Sequence, residues 1–237
     1  MSKQILTLIS VGKKYTDACI PHIQPFLDND WDVRVLTDTP IQFNGCTTYE
    51  YPNKVFSYFD KLLFPLRISE KEKKGILFID ADELHKFTHL AKNDFRSNKD
   101  FIVFEYWLWF NNQSLYVWDK FTTHFDGYFN TIKSYWDSIG YDYSNLTTMW
   151  EGIYYYPHSD KTNELLKDIE LIKPVFEYMS IIGNFPYSGV GNGEGLALSY
   201  CLDKNNIKKD ETKISYSYGE QGKHFKTYAE TLRSLSR

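Results

Sequence analysis

Four consecutive apolar residues, Ile76-Leu77-Phe78-Ile79, stand between Gly75 and Asp80 with no polar side chain among them. A run this short and uniformly apolar fits a strand buried on both faces, and such strands belong to parallel sheets covered by helices on either side. The preceding sequence supplies the rest of that pattern. Gln4 to Ser10 reads as a buried strand, Tyr15 to Leu27 as a helix, and Trp31 to Thr37 as a second strand ending at the turn cluster Asp38-Thr39-Pro40. A weak third strand is expected near Thr47 to Tyr51. Phe56 to Glu70 carries apolar residues at helical spacing, with Tyr58, Leu62, Leu66 and Ile68 among them, and closes on the charge run Glu70 to Lys74, which reads as a solvated helix end. Strand, helix, strand, helix, strand over 80 residues predicts an α/β fold with a central, mostly parallel mixed sheet flanked by helices. Further on, Phe101 to Glu105 and Gly152 to Tyr156 read as strands, Ser159 to Tyr178 and Glu194 to Asn205 as helices. With no internal repeat and no Pro- or Ser-rich linker, residues 1–237 are expected to form a single domain.

At 237 residues the chain is long enough to bury roughly 70–75% of its unfolded surface, so stability requires neither disulfides nor a structural metal. Its 27 basic and 31 acidic side chains leave a net charge of −4, which argues against a nucleic-acid partner but leaves ligands with two phosphates open. Cys19, Cys46 and Cys201 are odd in number, far apart and free of C-x-x-C spacing, which fits a reducing compartment. The N-terminus lacks a signal-peptide h-region, and Glu105 interrupts the longest aromatic-apolar run, Phe101 to Phe110. A soluble, cytoplasmic protein without a transmembrane segment is therefore expected. Aromatic residues reach 18%, with Tyr and Trp clustered at Tyr106 to Trp109 and Trp150 to Tyr156. Core filling accounts for most Phe, whereas Tyr and Trp also suit a wet cleft for an amphipathic ligand such as a sugar.

Asp80-Ala81-Asp82-Glu83 follows the apolar run, at the strand end where parallel sheets place ligands. In an extended segment residues two apart point the same way, so Asp80 and Asp82 would converge. Two carboxylates about 5 Å apart repel by about 3 kcal/mol at an effective dielectric near 20, so a positive charge is expected between them. Oxygen donors favour Mg²⁺ or Mn²⁺; the competing reading is a pair of solvated loop carboxylates. A second D-x-D, Asp28-Asn29-Asp30, precedes a strand and so stands at the wrong end. His85 and His89 are four apart, but H-E-x-x-H is missing and structural or surface histidines are the expectation. The glycine-rich stretch Ser188 to Gly195 does not complete G-x-G-x-x-G and reads as a flexible or close-packed loop before a helix N-terminus, either a plain turn cluster or a substrate loop.

Phe59-Asp60-Lys61-Leu62-Leu63, then Leu66, then Gly75 to Asp82 resembles the nucleotide-sugar-binding half of GT-A glycosyltransferases, particularly the glycogenin-like group. Leu6 to Ser10 with Tyr15 resembles that fold's first strand and base-binding loop, and Val35-Leu36-Thr37-Asp38 its second strand. Glu151 to Tyr155 is similar to the family's Asn-Ser-Gly strand, with Trp150 and Glu151 in place of the small polar pair. Glu194 stands where an acidic residue opens a helix. Lys223-His224-Phe225-Lys226 resembles the C-terminal His-Phe element, without the Gly and Lys-Pro-Trp that usually follow.

The resemblance implies a metal-dependent glycosyltransferase with a nucleotide-binding half over about 1–105 and an acceptor-side half over about 106–237. Asp80, Asp82 and His224 would hold Mn²⁺ or Mg²⁺. Ser10, Val11, Tyr15, Asp38 and Ala81 would contact the nucleotide-sugar donor, a uridine diphosphate sugar by likeness, with Lys61 and Lys226 adding positive charge at its diphosphate. Glu194, with Glu151, would serve catalysis at the sugar or at a glycan or other hydroxyl acceptor, Glu194 as general base if transfer inverts the anomeric centre or as orienting group if it retains it. Three alternatives stand beside this one. A glycoside hydrolase fits poorly because its carboxylates flank a bond without a metal. A sugar-phosphate nucleotidyltransferase lacks its Gly-rich N-terminal signature near Ser10 to Lys14. A non-catalytic sugar-binding module would bind without regard to metal.

Overall fold

A computed structural model describes residues 3–53, 55–103, 106–108, 128–144, 146–149, 151–182 and 193–210. The elements run β1 (Ile5–Ser10), α1 (Lys13–Asp28), β2 (Asp32–Thr37), β3 (Thr47–Glu50), α2 (Asp60–Glu72), β4 (Ile76–Ile79), α3 (Leu84–Phe87), β5 (Phe101–Val103) and β6 (Tyr106–Leu108). They continue with α4 (Tyr128–Ser138), β7 (Thr147–Met149), β8 (Ile153–Tyr156), α5 (Thr162–Ile182), α6 (Glu194–Lys204) and β9 (Lys209–Asp210). Short 3₁₀ turns occupy Pro40–Gln42 and Thr88–Lys92. The expected strands and helices are all present, with ends shifted by a few residues, as frayed termini and caps allow; Phe104 and Glu105 of the strand expected over Phe101 to Glu105 lie outside the described residues.

Among the described residues one seven-stranded sheet has the order β3-β2-β1-β4-β8-β5-β9, and β6 pairs with β7 in a separate ribbon. The first four strands are mutually parallel. β8 is antiparallel to both β4 and β5, and β9 returns parallel to β5. The fold is therefore α/β with a mixed, mostly parallel sheet.

Alternation along the strands fills two cores. Ile5, Ile9, Ile76, Phe78, Tyr154 and Tyr156 face the layer containing α2, α5 and α6. Leu6, Leu8, Leu77, Ile79, Ile153 and Tyr155 face the layer containing α1 and α3. Both sheet faces are covered, which is why these strands lack a polar face. The same packing corrects part of the aromatic expectation. Tyr154, Tyr155 and Tyr156 are at most 5% exposed and belong to the cores, because β8 lies between β4 and β5 and has no face toward water. No helix among the described residues is long and apolar enough to cross a membrane.

Candidate functional site

Strand direction decides which residues share an edge. β1, β2 and β4 run the same way, with Ser10 opposite Thr37 and Thr7 opposite Phe78, so Ser10, Asp38 and Asp80 all emerge at the carboxyl edge of the parallel block. Antiparallel β8 begins at that edge: Ile153 pairs with Ile79, and the Asp80 amide donates to the Gly152 carbonyl at 2.7 Å. Glu151 thereby stands beside Asp80 although 71 residues separate them. α6 begins at the same place, because Gly193, at φ 89°, turns the chain so that Glu194 opens the helix. Only glycine adopts that conformation without steric cost.

Lys61, in the first turn of α2, extends into this group. Its Nζ donates to Asp80 Oδ2 at 2.8 Å, lies 3.7 Å from Glu194 Oε1, and sits 5.3 Å from the centroid of the Tyr58 ring. Exposure of the three charged side chains is 13%, 16% and 5%. Burial by itself would lower the Lys61 ammonium, but the charges of Asp80, Glu194 and Glu151 hold it well above its ordinary value. Burial pushes the Asp80 carboxyl up to about 7 against the pull of Lys61, and Glu151 and Asp82 add to the rise. Burial and then the charge of Glu151 hold the Glu194 carboxyl well above the carboxylate range, and a hydrogen bond between the two glutamates adds to the effect. Three carboxyl groups thus gather around one ammonium, and the negative excess is met by protons or by a further cation.

Residues 80–83 are not extended. The Glu83 amide donates to the Asp80 carbonyl at 3.0 Å, so the chain turns at once after its last ladder bond. The period-two expectation for Asp80 and Asp82 is corrected accordingly, and what brings their charges together is the turn. Ala81 is buried at 2%, and Asp82 is half-buried. Among the described residues the Asp82 carboxylate and Asp80 Oδ1 make no hydrogen bond, so hard oxygen donors remain for Mg²⁺ or Mn²⁺. No group of three or more His, Cys, Asp or Glu that could hold a metal ion occurs among the described residues. The positive charge expected between the aspartates is supplied to Asp80 by Lys61.

The remaining expected site residues divide by what they touch. The Ser10 hydroxyl is buried and bonded to Thr16 Oγ1 at 3.0 Å, so what Ser10 offers a ligand is backbone. Both Asp38 oxygens accept from the Gly12 amide, at 3.0 and 3.1 Å, which pins the loop after β1. Val11 is half-buried there. Tyr15 is 37% exposed, with Lys14 Nζ 5.3 Å from its ring centroid, and presents a ring at the edge. His224 and Lys226 lie outside the described residues, as do Trp109 and Trp150. His85 and His89 do not share a helix face, since the first lies in α3 and the second in the 3₁₀ turn that follows.

Tyr154 was not among the expected site residues. Its hydroxyl donates to the Lys61 carbonyl at 2.7 Å. That carbonyl's helical partner would be the amide of residue 65, which is Pro65 and has none. The hydroxyl replaces the missing N–H and holds the turn of α2 that aims Lys61. Pro65 signals in the sequence that the Lys61 carbonyl needs a partner, but not which side chain provides it.

No protein-family model and no curated protein sequence matches this chain.

Proposed function

We propose that the chain is a metal-dependent GT-A glycosyltransferase that transfers a sugar from a nucleoside diphosphate, uridine diphosphate by resemblance, to a hydroxyl acceptor. The observation that carries this reading is the buried group Asp80, Glu151 and Glu194 around Lys61, with Asp82 beside it, at the carboxyl edge of four parallel strands. Parallel sheets bind ligands at that edge. Asp80 and Asp82 would hold the cation, which when bound neutralises charge developing on the leaving diphosphate.

The chain's own residues have distinct tasks. Lys61 orients Asp80 through Oδ2 and leaves Oδ1 facing other ligands. Burial and the charge of Glu151 hold the Glu194 carboxyl well above the carboxylate range, and a raised value makes its ionised form a stronger base than an ordinary carboxylate. Glu194 would serve as general base if transfer inverts the anomeric centre, or as orienting group if it retains it. Tyr15, exposed at the same edge, offers a ring for stacking a nucleoside base.

The test is a panel of nucleotide sugars incubated with and without Mn²⁺, following release of the nucleoside diphosphate. Metal-stimulated release is expected, reduced at least about 10²-fold by Asp80→Asn or Asp82→Asn in folded protein. Near-normal rates in those variants remove the assignment. Sugar binding indifferent to metal and without turnover would make the chain a binding module instead.

A further inference from the structure

The amino edge of the sheet, opposite the site above, holds a cavity of about 280 Å³ with no acidic side chain among the described residues that line it. Lys3, Lys73, Lys74, Arg96 and His158 line it together with Tyr155. That is four permanent cations around one small space in a chain whose net charge is −4. Gly75 and Asp80 bracket β4, so the two sites stand about 17 Å apart along one strand.

The cavity is built by specific contacts. Gln4 receives the Phe95 amide at 2.7 Å and donates to the Asn93 carbonyl at 2.8 Å, and the Trp31 indole donates to the Ala91 carbonyl at 2.8 Å. Lys73 caps α2 at φ 55°, and the buried Ser69 hydroxyl donates to the Lys74 carbonyl at 2.7 Å, which sets the turn carrying both lysines. Gly75 gives way to Tyr155: a Cβ there would lie 2.1 Å from the Tyr155 hydroxyl. The Tyr155 side chain, 5% exposed and stacked on Phe95, brings that hydroxyl to the cavity, where among the described residues it has no hydrogen-bond partner. The hydroxyl is therefore open to an acceptor placed in the cavity.

Lys3, Lys73 and Arg96 pair with Asp30, Glu70 and Asp94, none of which lines the cavity, and ion pairs in contact with solvent bind their cations weakly. Lys74 makes no ion pair among the described residues, and Glu72, whose charge it feels, is bonded to Arg34. We propose that this cavity binds a small phosphate-bearing anion, with Lys74 and Arg96 meeting its charge and the Tyr155 hydroxyl donating to an oxygen. Its volume lies just under the usual range for ligand pockets, about 300–1,000 Å³, which suits a phosphate or diphosphate group with a small organic body.

Titration of the full chain with inorganic phosphate and with pyrophosphate, in the presence of a chelator and followed by amide NMR, tests this. Saturable shifts are expected at Lys73, Lys74 and Gly75. Lys74→Glu should weaken binding at least about tenfold, equivalent to about 1.4 kcal/mol. Arg96→Ser should weaken it as well, and Tyr155→Phe should do so while the ring keeps its packing. Asp80→Asn should leave binding here unchanged, which separates this site from diphosphate held at the other edge. Shifts reproduced by sodium chloride at equal ionic strength, shifts unchanged in folded Lys74→Glu, or no saturable shifts at these residues would each overturn the proposal.

Discussion

Replacing Tyr154 by Phe removes one oxygen atom from a buried site and isolates one consequence. The Lys61 carbonyl loses the hydroxyl 2.7 Å away, and Pro65 offers no amide to take its place. A net hydrogen bond is worth about 0.5–1.5 kcal/mol, and a buried acceptor left unpaired costs about 1–3 kcal/mol, so Tyr154→Phe should destabilise the fold by about 2 kcal/mol. For a domain of this size that lowers Tm by about 4–8 °C. Pro65→Ala restores an N–H four residues after Lys61, so the carbonyl no longer depends on Tyr154. Urea denaturation followed by far-UV circular dichroism, on the parent, both single variants and the double, measures the coupling directly. Tyr154→Phe should cost at least about 1 kcal/mol less in the Pro65→Ala background. Equal cost in both backgrounds would refute the idea that the tyrosine substitutes for the proline's missing donor.

Lys61→Met leaves Asp80 and Glu194 without their ammonium; the gross attractions at 2.8 and 3.7 Å are about 6 and 4.5 kcal/mol at an effective dielectric near 20, and the net loss should be about 3–5 kcal/mol. Both carboxyls then titrate further above their unfolded values, so the folded state keeps protons that the unfolded state releases; stability is retained in acid and lost as pH rises, making the cost larger near about pH 8 than near about pH 5. A cost independent of pH in chelator-treated protein would contradict this. Gly75→Ala drives a Cβ to 2.1 Å from the Tyr155 hydroxyl and 2.8 Å from Cζ, and chemical denaturation should register a loss of about 1–3 kcal/mol, whereas neutrality would mean that Tyr155 is free to move. Burial lowers the His158 value, so its contribution is complete above the ordinary 6.5 and is lost as pH falls toward the folded value. His158→Asn should flatten that part of the stability profile, and an unchanged profile would place the titration elsewhere.

The parallel block was legible because its signals are local. Ile76 to Ile79 could be read from four residues, and their bounds match the strand observed. Glu194 at a helix start was equally readable from the glycines before it. The turn at Asp80 was not, because apolar runs mark where a strand lies but carry no information on how it ends, and the Glu83 amide bond decides that. The tyrosines of β8 show the converse: their polar edges suggested a wet cleft, while the strand's place between β4 and β5 put them in the core.

Periodicity and composition, which act over a few residues, determined an α/β chain with an acidic strand end. Which charges meet was decided by the tertiary structure. Lys61, Asp80, Glu151 and Glu194 lie on four separate elements, and their union depends on β8 running antiparallel to β4 and on α6 starting at the same edge. The opposing basic cavity has the same origin, since Lys3, Lys73, Arg96 and His158 become neighbours only when the sheet brings its amino edge together. Pairings between distant residues are set by burial and strand order across the whole molecule, and a local pattern cannot encode them.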